Sequence, residues 1–166
     1  LNILEKGGLH ILPFNLFKNM RIIKNNKIQF IPGLGEKPKD YKNLSKFLKI
    51  LDVDWSRVKI KFGIKRSEIL TGFSMGAILA CEYAVKNKVK NLILCSLTPG
   101  AETLNDVNAG QVTFIVGEKE KWVLKEIKRI RKTLKCKSSI IIVPNADHKI
   151  AGNYERIFIE TINKYK

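Results

Sequence analysis

One stretch of the chain carries a side chain that could act as a nucleophile. Ser74 lies at the centre of the run Gly72–Gly76, which reads Gly-Phe-Ser-Met-Gly. A serine hydroxyl is a weak nucleophile at neutral pH, so it needs a base, a group that orients the base, and donors for the oxyanion that forms. The pattern Gly-x-Ser-x-Gly also occurs in tight turns around a passive serine, and its meaning therefore depends on the elements on either side.

The elements around Ser74 are those that a nucleophilic serine requires. Residues 67–71 predict a strand, and residues 75–88, rich in Ala, Ile and Leu, predict a helix. A sharp turn between them would project Ser74 from the carboxyl edge of a sheet, with glycines where larger side chains would not fit. The amide of Met75, in the first turn of the helix, would point at the developing negative charge. This context predicts Ser74 as the nucleophile and the Met75 amide as one oxyanion donor.

Strands and helices alternate along most of the chain. Apolar and β-branched runs predict further strands at 27–31, 91–96, 112–116 and 139–143, with one more at either 50–55 or 58–62. Apolar residues spaced by three and four predict helices at 41–51, 122–135 and 154–166. Strands that alternate with helices form parallel sheets covered on both faces. The pattern therefore predicts an α/β protein, a three-layer α/β/α sandwich with a mostly parallel sheet of about six strands.

The N-terminal segment does not share this alternation. Gly7-Gly8 and Pro13 interrupt residues 1–26, which we interpret as an N-terminal extension, either separate from the rest or part of the same domain. A chain of 166 residues is long enough for one domain with a substantial core. We therefore expect residues 27–166 to form a single domain.

The order of elements around Ser74 resembles the α/β-hydrolase family over residues 27–166. In that family the nucleophile lies on this turn, the acid follows a later strand, and the histidine follows the last strand. The resemblance implies a minimal α/β-hydrolase fold. Of the two histidines, His10 precedes the nucleophile, whereas His148 directly follows the strand at 139–143. The resemblance thus implies that His148 is the base, while Asp147 is unsuited to orient it because adjacent side chains seldom reach each other.

The acid has three candidates. Gly117–Glu120 follows the strand at 112–116 and resembles the family's Gly-x-x-Asp, which puts Glu120 at the acid position. Glu118 stays open because the extra methylene of glutamate changes its reach, and Asp106 in the preceding loop is the next alternative. Both glutamates would also be favourable simply as negative charges at the start of the helix at 122–135.

A second oxyanion donor is implied by the loop after the strand at 27–31. Pro32–Gly35 resembles the family's His-Gly-x-Gly, with Pro32 in place of the usual histidine. The donor is a backbone amide, so the resemblance implies Leu34 in this role, with Gly35 next. A phosphate-binding loop is excluded because no Gly-Lys-Ser/Thr follows.

Composition excludes several other classes of function. The net charge of +16 comes from 25 lysines and six arginines spread along the chain, without the arginine clusters and interleaved aromatics typical of specific nucleic-acid recognition. Apolar runs are too short for a membrane span. Three cysteines, none in a Cys-x-x-Cys pair, indicate reduced thiols in a cytoplasmic protein rather than a disulfide framework or a metal site.

The segment between the strands at 91–96 and 112–116 bears on the substrate. The α/β-hydrolase family sets substrate choice largely by insertions there, and this chain has only 15 residues, Leu97–Gln111. That length is too short for a helical lid, which implies an open site. We expect a serine hydrolase, a carboxylesterase or thioesterase, that cleaves a small soluble ester or thioester through an acyl-serine intermediate without metal or cofactor. A related peptidase or acyltransferase and a degenerate hydrolase-fold binding protein stay open as alternatives.

Overall fold

An eight-stranded sheet is the central element of the computed structural model, which describes residues 2–5, 8–11, 27–60, 64, 68–98 and 102–165. In chain order the strands are β1 (Asn2–Glu5), β2 (Gly8–Ile11), β3 (Ile28–Ile31), β4 (Lys49–Ile50), β5 (Val53–Asp54), β6 (Lys59–Ile60), β7 (Ile69–Phe73), β8 (Val89–Cys95), β9 (Ala109–Gly117) and β10 (Lys137–Val143). The sheet order is β2-β1-β10-β9-β8-β7-β3-β4, and β5 pairs only with β6 in a separate antiparallel ribbon.

Six neighbouring strands of the sheet, from β10 to β4, run parallel. The backbone of β1 pairs antiparallel with β10, and β2 pairs antiparallel with β1. In the parallel part, Gly72 of β7 lies beside Ile31 of β3 and Leu94 of β8. Because parallel strands end at a common edge, the loops that follow β3, β7, β8, β9 and β10 meet there.

Helices cover both faces of the sheet. The three α-helices are α1 (Met75–Lys86), α2 (Lys121–Arg131) and α3 (Asn153–Lys164). Residues of α1 and α2 pack with one set of strand side chains, which includes Leu92 and Leu94 of β8. Residues of α3 pack with the alternate set, which includes Ile93 and Cys95. The predicted three-layer α/β/α sandwich with a mostly parallel sheet is therefore confirmed.

The helix expected at residues 41–51 is wrong. Two short 3₁₀ helices, Pro38–Tyr41 and Leu44–Lys46, stand there, and the chain then enters β4 beside β3. The apolar positions of the stripe are buried as expected, since Tyr41, Leu44 and Leu48 all lie in the core on the α3 side. A spacing of three also fits 3₁₀ turns, and the Leu51 amide donates to the Phe30 carbonyl at 2.8 Å. Pairing with the edge of β3 thus replaces the last turn of the expected helix.

The single strand expected within residues 50–62 is also wrong. Three strands of two residues each lie there, β4, β5 and β6, while residues 61–63 fall outside the described part of the chain. The Asp54 carboxylate accepts hydrogen bonds from the amide and the hydroxyl of Ser56, at 3.1 and 2.6 Å. An aspartate that bonds two residues ahead stabilises a turn, and the chain reverses here between β5 and β6.

Candidate active site

Ser74 lies at the junction of β7 and α1 in a backbone conformation that non-glycine residues seldom adopt, with φ 53° and ψ −121°. Its amide donates to the Cys95 carbonyl at 2.9 Å, which ties the turn to the end of β8. The glycines on either side are required by close approach. A Cβ on Gly72 would lie 2.7 Å from Cα of Ala77, and a Cβ on Gly76 would lie 2.8 Å from the carbonyl carbon of Ile31.

His148 is brought to the same edge by the segment between β10 and α3. Its Nε2 lies 2.9 Å from the Ser74 hydroxyl oxygen. The imidazole packs beside the ring of Phe73, with ring centroids 5.0 Å apart, and its side chain is 44% exposed. Nε2 of the imidazole therefore contacts the serine, and Nδ1 lies on the opposite side of the ring.

The carboxylate of Glu120 contacts the second ring nitrogen. Oε1 of Glu120 lies 2.6 Å from Nδ1 of His148, and Oε2 accepts the Gly117 amide at 2.7 Å. The hydroxyl of Ser96, which follows β8, also donates to Oε2 at 2.7 Å. Glu120 is the N-cap residue of α2, yet its carboxylate makes no capping bond. The hydrogen bonds thus form an unbroken chain from Ser74 through His148 to Glu120.

Electrostatics within this chain favour an ionised acid and a more basic imidazole. Burial on its own raises the pKa of Glu120, but hydrogen bonds from His148, Ser96 and the Gly117 amide outweigh it and lower the pKa below the usual glutamate value. The hydrogen bond to Glu120 is the main cause of a raised His148 pKa, and burial opposes it. The charges of Glu120, Glu36 and Asp147 raise the His148 pKa further.

The other two acid candidates lie elsewhere. Oε2 of Glu118 accepts the Asn145 amide at 2.9 Å, so this carboxylate holds the loop after β10. Asp106 precedes β9, at the opposite edge of the sheet from Ser74, and its carboxylate lies 3.7 Å from the Lys135 ammonium. Of the three candidates, only Glu120 contacts His148.

The loop after β3 forms a tight turn at the same edge. The Glu36 amide donates to the Gly33 carbonyl at 3.1 Å, and Gly35 has a φ of +77°, a value that favours glycine. Oε2 of Glu36 accepts the Gly33 amide at 2.6 Å and also the Tyr41 hydroxyl. The Gly33 amide is therefore engaged, and the exposed Leu34 at the top of the turn is the next amide along.

The first turn of α1 adjoins this loop. The backbone oxygens of Ile31 and Pro32 lie so close to Gly76 that no Cβ would fit there. The first amides of a helix have no acceptor within the helix, and no acceptor for the Met75 amide occurs among the described residues. The Met75 and Leu34 amides thus belong to adjoining segments beside Ser74.

Four residues around this site were not predicted from the sequence. They are Ser96, Tyr154, Glu36 and Tyr41. A signal existed for Ser96 alone, since it follows a buried strand whose carboxyl end meets that of β7. From the sequence, Tyr154 and Tyr41 have the pattern of core aromatic residues. The Tyr154 hydroxyl contacts Ser96, which is distant in the sequence, and the Tyr41 hydroxyl contacts Glu36 on the preceding turn.

The described residues hold neither a cluster suited to a metal ion nor a helix suited to a membrane span. No cluster of three or more His, Cys, Asp or Glu side chains in the described ranges could hold a metal ion. No helix in the described part of the chain is long and apolar enough to cross a membrane.

No family model and no curated protein matches the chain. Solved structures do match it. Dienelactone hydrolase from Anabaena variabilis has 15% identity and a TM-score of 0.66, with 86% of this chain and 85% of that chain covered. A predicted CIB-like hydrolase from Thermoplasma acidophilum has 14% identity and a TM-score of 0.65, with 87% and 88% covered. Substrate-bound fluorophosphonate-binding serine hydrolase F from Staphylococcus aureus has 12% identity and a TM-score of 0.59, with 93% and 89% covered. The chain therefore has the α/β-hydrolase fold.

Proposed function

We propose that this chain is a serine hydrolase that cleaves a small carboxylic ester or thioester through an acyl-serine intermediate. The observation that carries the proposal is the hydrogen-bonded chain Ser74–His148–Glu120, at 2.9 and 2.6 Å, with Ser74 on a strained turn before a helix. Structural strain of this kind is typical of functional sites, where the surroundings enforce it.

Acylation follows from these contacts. Nε2 of His148 accepts the Ser74 proton as the hydroxyl oxygen attacks the ester carbonyl carbon. Glu120 accepts Nδ1–H, which fixes the tautomer and stabilises the imidazolium. The carbonyl oxygen becomes an oxyanion, and the Met75 and Leu34 amides donate to it. His148 then protonates the departing alcohol or thiol, which leaves the acyl group on Ser74.

Deacylation uses the same residues in reverse. Water takes the place of the leaving group, and neutral His148 removes its proton as it attacks the acyl carbon. The tetrahedral species collapses, Ser74 recovers its proton from His148, and the carboxylic acid leaves. No metal or cofactor takes part.

An open site supports a small substrate. The 3₁₀ helix Glu102–Asp106 packs beneath α1, with Leu104 buried in the core on that side of the sheet, so this part of the segment after β8 does not cover Ser74. Among the similar structures are one named a dienelactone hydrolase and one named an esterase. Three free cysteines fit a cytoplasmic location.

A fluorophosphonate probe tests the nucleophile. Wild-type protein should be labelled, Ser74→Ala should not be, and His148→Gln should be labelled at least ~100-fold more slowly because the base is lost. Exposed Ser45 provides a matched control, and Ser45→Ala should be labelled like the wild type. Absence of labelling in folded wild-type protein would contradict the proposal.

A substrate panel then separates the possible reactions. Short-chain acyl esters and acyl thioesters should be hydrolysed by the wild type, with rates that depend on Ser74. Cleavage of peptides alone would indicate a peptidase, and acyl transfer to an added alcohol in preference to water would indicate an acyltransferase.

A further inference from the structure

A buried pair of hydroxyl groups lies behind Glu120, on the side away from His148. We propose that Ser96 and Tyr154 are positioning residues that hold the Glu120 carboxylate against His148 and fix the segment that carries His148. The inference rests on the proposed function, because it assigns these two residues a part in the same reaction. Neither residue contacts Ser74 in the described hydrogen bonds, so both act through Glu120 and His148.

Ser96 is fully buried and has a φ of +44°, an uncommon value for a residue other than glycine. This backbone conformation lets the residue directly after β8 turn its hydroxyl toward the end of β9. The hydroxyl lies 2.7 Å from Oε2 of Glu120 and 2.8 Å from the Tyr154 hydroxyl. Glycine at this position would relieve the backbone strain. Serine keeps the strain but supplies a hydroxyl that donates to the Glu120 carboxylate.

The protons in this cluster can be assigned by counting donors. An ionised carboxylate only accepts, so the single hydroxyl proton of Ser96 is directed at Glu120. The single proton of the Tyr154 hydroxyl is then shared between the Ser96 hydroxyl oxygen at 2.8 Å and the Ile115 carbonyl oxygen at 2.7 Å, and this carbonyl oxygen also accepts the Ser96 amide at 2.7 Å. Ser96 is thereby held at its amide and at its hydroxyl, and Glu120 receives a donor whose own position is fixed.

Tyr154 links this cluster to His148. It is fully buried in the first turn of α3, and the segment that carries His148 runs from the end of β10 to the start of α3. The Tyr154 hydroxyl therefore fixes the far end of that segment to the ends of β8 and β9. One network thus sets the positions of both members of the Glu120–His148 contact.

The test pairs each variant with a matched control. Ser96→Ala and Tyr154→Phe remove one hydroxyl each. Ser139→Ala and Tyr165→Phe also remove one hydroxyl each, but Ser139 and Tyr165 contact Thr113 in the middle of β9, away from the end of the strand where the site lies. We expect kcat to fall about tenfold or more in Ser96→Ala with KM within about twofold, because misplacement of a reacting group lowers the rate more than binding. Tyr154→Phe should show a smaller fall, and both controls should retain wild-type kcat.

A second measurement does not depend on activity. The chain has only two histidines, so the His148 ring signals can be assigned by comparison with His148→Gln and titrated by NMR. Ser96→Ala should lower the His148 pKa toward the usual histidine value, because the carboxylate that raises it keeps only the Gly117 amide on Oε2 and is held less firmly against the imidazole. Glu36 and Asp147 also act on His148, and both are unchanged in every variant.

These two measurements can fail independently of the tests of the proposed function. If wild-type protein neither reacts with the probe nor hydrolyses an ester, the proposed function fails. A lowered His148 pKa in Ser96→Ala would still support the positioning role of Ser96 and Tyr154. If the His148 pKa and kcat are unchanged in folded Ser96→Ala and Tyr154→Phe, the positioning role of these two residues is overturned. Should Ser96→Ala not fold, Ser96→Cys provides a weaker donor of similar size, and the same two readouts decide.

Discussion

Glu120 reaches three donors because its side chain is long. Oε1 lies on His148, while Oε2 lies on the Gly117 amide and on Ser96, and the carboxylate is almost completely buried. An aspartate at this position would be one methylene shorter and would lose contact at one of the two ends. The extra methylene therefore agrees with a carboxylate that is anchored on the strand ends before it meets the imidazole.

The role of Glu120 can be tested through the pH dependence of activity. The proposed mechanism requires neutral His148, so kcat/KM should rise with pH through a midpoint above the usual histidine value of about 6.5. Glu120→Gln removes the charge that raises the His148 pKa and replaces one of the two accepting carboxylate oxygens with an amide donor. We expect kcat to fall ~10²–10⁴-fold and the acidic limb to move to lower pH.

Glu118→Gln provides the matched control for that experiment. Its carboxylate bonds the Asn145 amide rather than His148, so its profile should match the wild type. The assignment of Glu120 as the acid would be wrong if Glu118→Gln lowered kcat and moved the limb while Glu120→Gln did not.

The turn Gly33–Glu36 is the element that presents the Leu34 amide, and a side chain of the turn holds it. Glu36 bonds the Gly33 amide, and Tyr41 of the following 3₁₀ helix bonds Glu36 in return. Burial and the hydrogen bond to Glu36 raise the pKa of Tyr41, so its hydroxyl keeps its proton and stays a donor. The turn is therefore fixed to the 3₁₀ helix that replaces the expected α-helix.

Two substitutions at Glu36 separate its charge from its hydrogen bonds. Glu36→Gln keeps an acceptor but removes a charge that raises the His148 pKa, so the acidic limb should move slightly to lower pH with kcat near wild type. Glu36→Ala also frees the turn, and kcat should fall about tenfold or more as the Leu34 amide is misplaced. Asp40→Ala, which removes a cap on the Lys37 amide in the same segment, serves as the control in steady-state assays. Equal kcat in all three variants would contradict a role for the turn.

Strands were easier to predict than the connection after β3. Continuous apolar runs such as Leu92–Cys95 in β8 are buried on both faces of the sheet, and such runs are typical of strands that are covered on both sides. The apolar stripe from Tyr41 to Leu51 predicted which residues are buried but not that the α-helix is replaced by 3₁₀ helices and β4. The pairing of β4 with β3 joins residues that lie 20 positions apart in the sequence. Long-range pairing of this kind has no local signal.

At the level of the whole molecule, parallel strands gather residues that are distant in the sequence. Ser74, Glu120 and His148 each follow a different strand, and the resemblance of their order to the α/β-hydrolase family predicts that they meet at one edge, although it left Glu118 and Asp106 open as the acid. Ser96 also follows a strand that ends there. Tyr154 arrives from a helix on one face of the sheet, so its contact depends on how α3 packs, which the order of elements does not specify.

The net charge of +16 also belongs to the whole molecule. Like charges spread over one small surface repel, and this repulsion destabilises the compact state. Raising the salt concentration from about 0.01 M to about 1 M shortens the Debye length from about 30 Å to about 3 Å. Each kcal/mol of repulsion that is relieved should raise Tm by about 2–4 °C for a chain of this size, and thermal unfolding followed by circular dichroism measures it.

The exposed face of α2 allows a direct test of whether repulsion between like charges destabilises the fold. Lys121, Lys125, Lys128 and Lys132 follow each other at steps of three and four along this face, an arrangement in which like charges repel. Lys125→Gln combined with Lys128→Gln removes two of the charges and keeps good helix formers. The double variant should have a higher Tm than the wild type at low salt, and the difference should vanish at high salt. A difference that persists at high salt would show that the gain comes from helix propensity or packing and not from relieved repulsion.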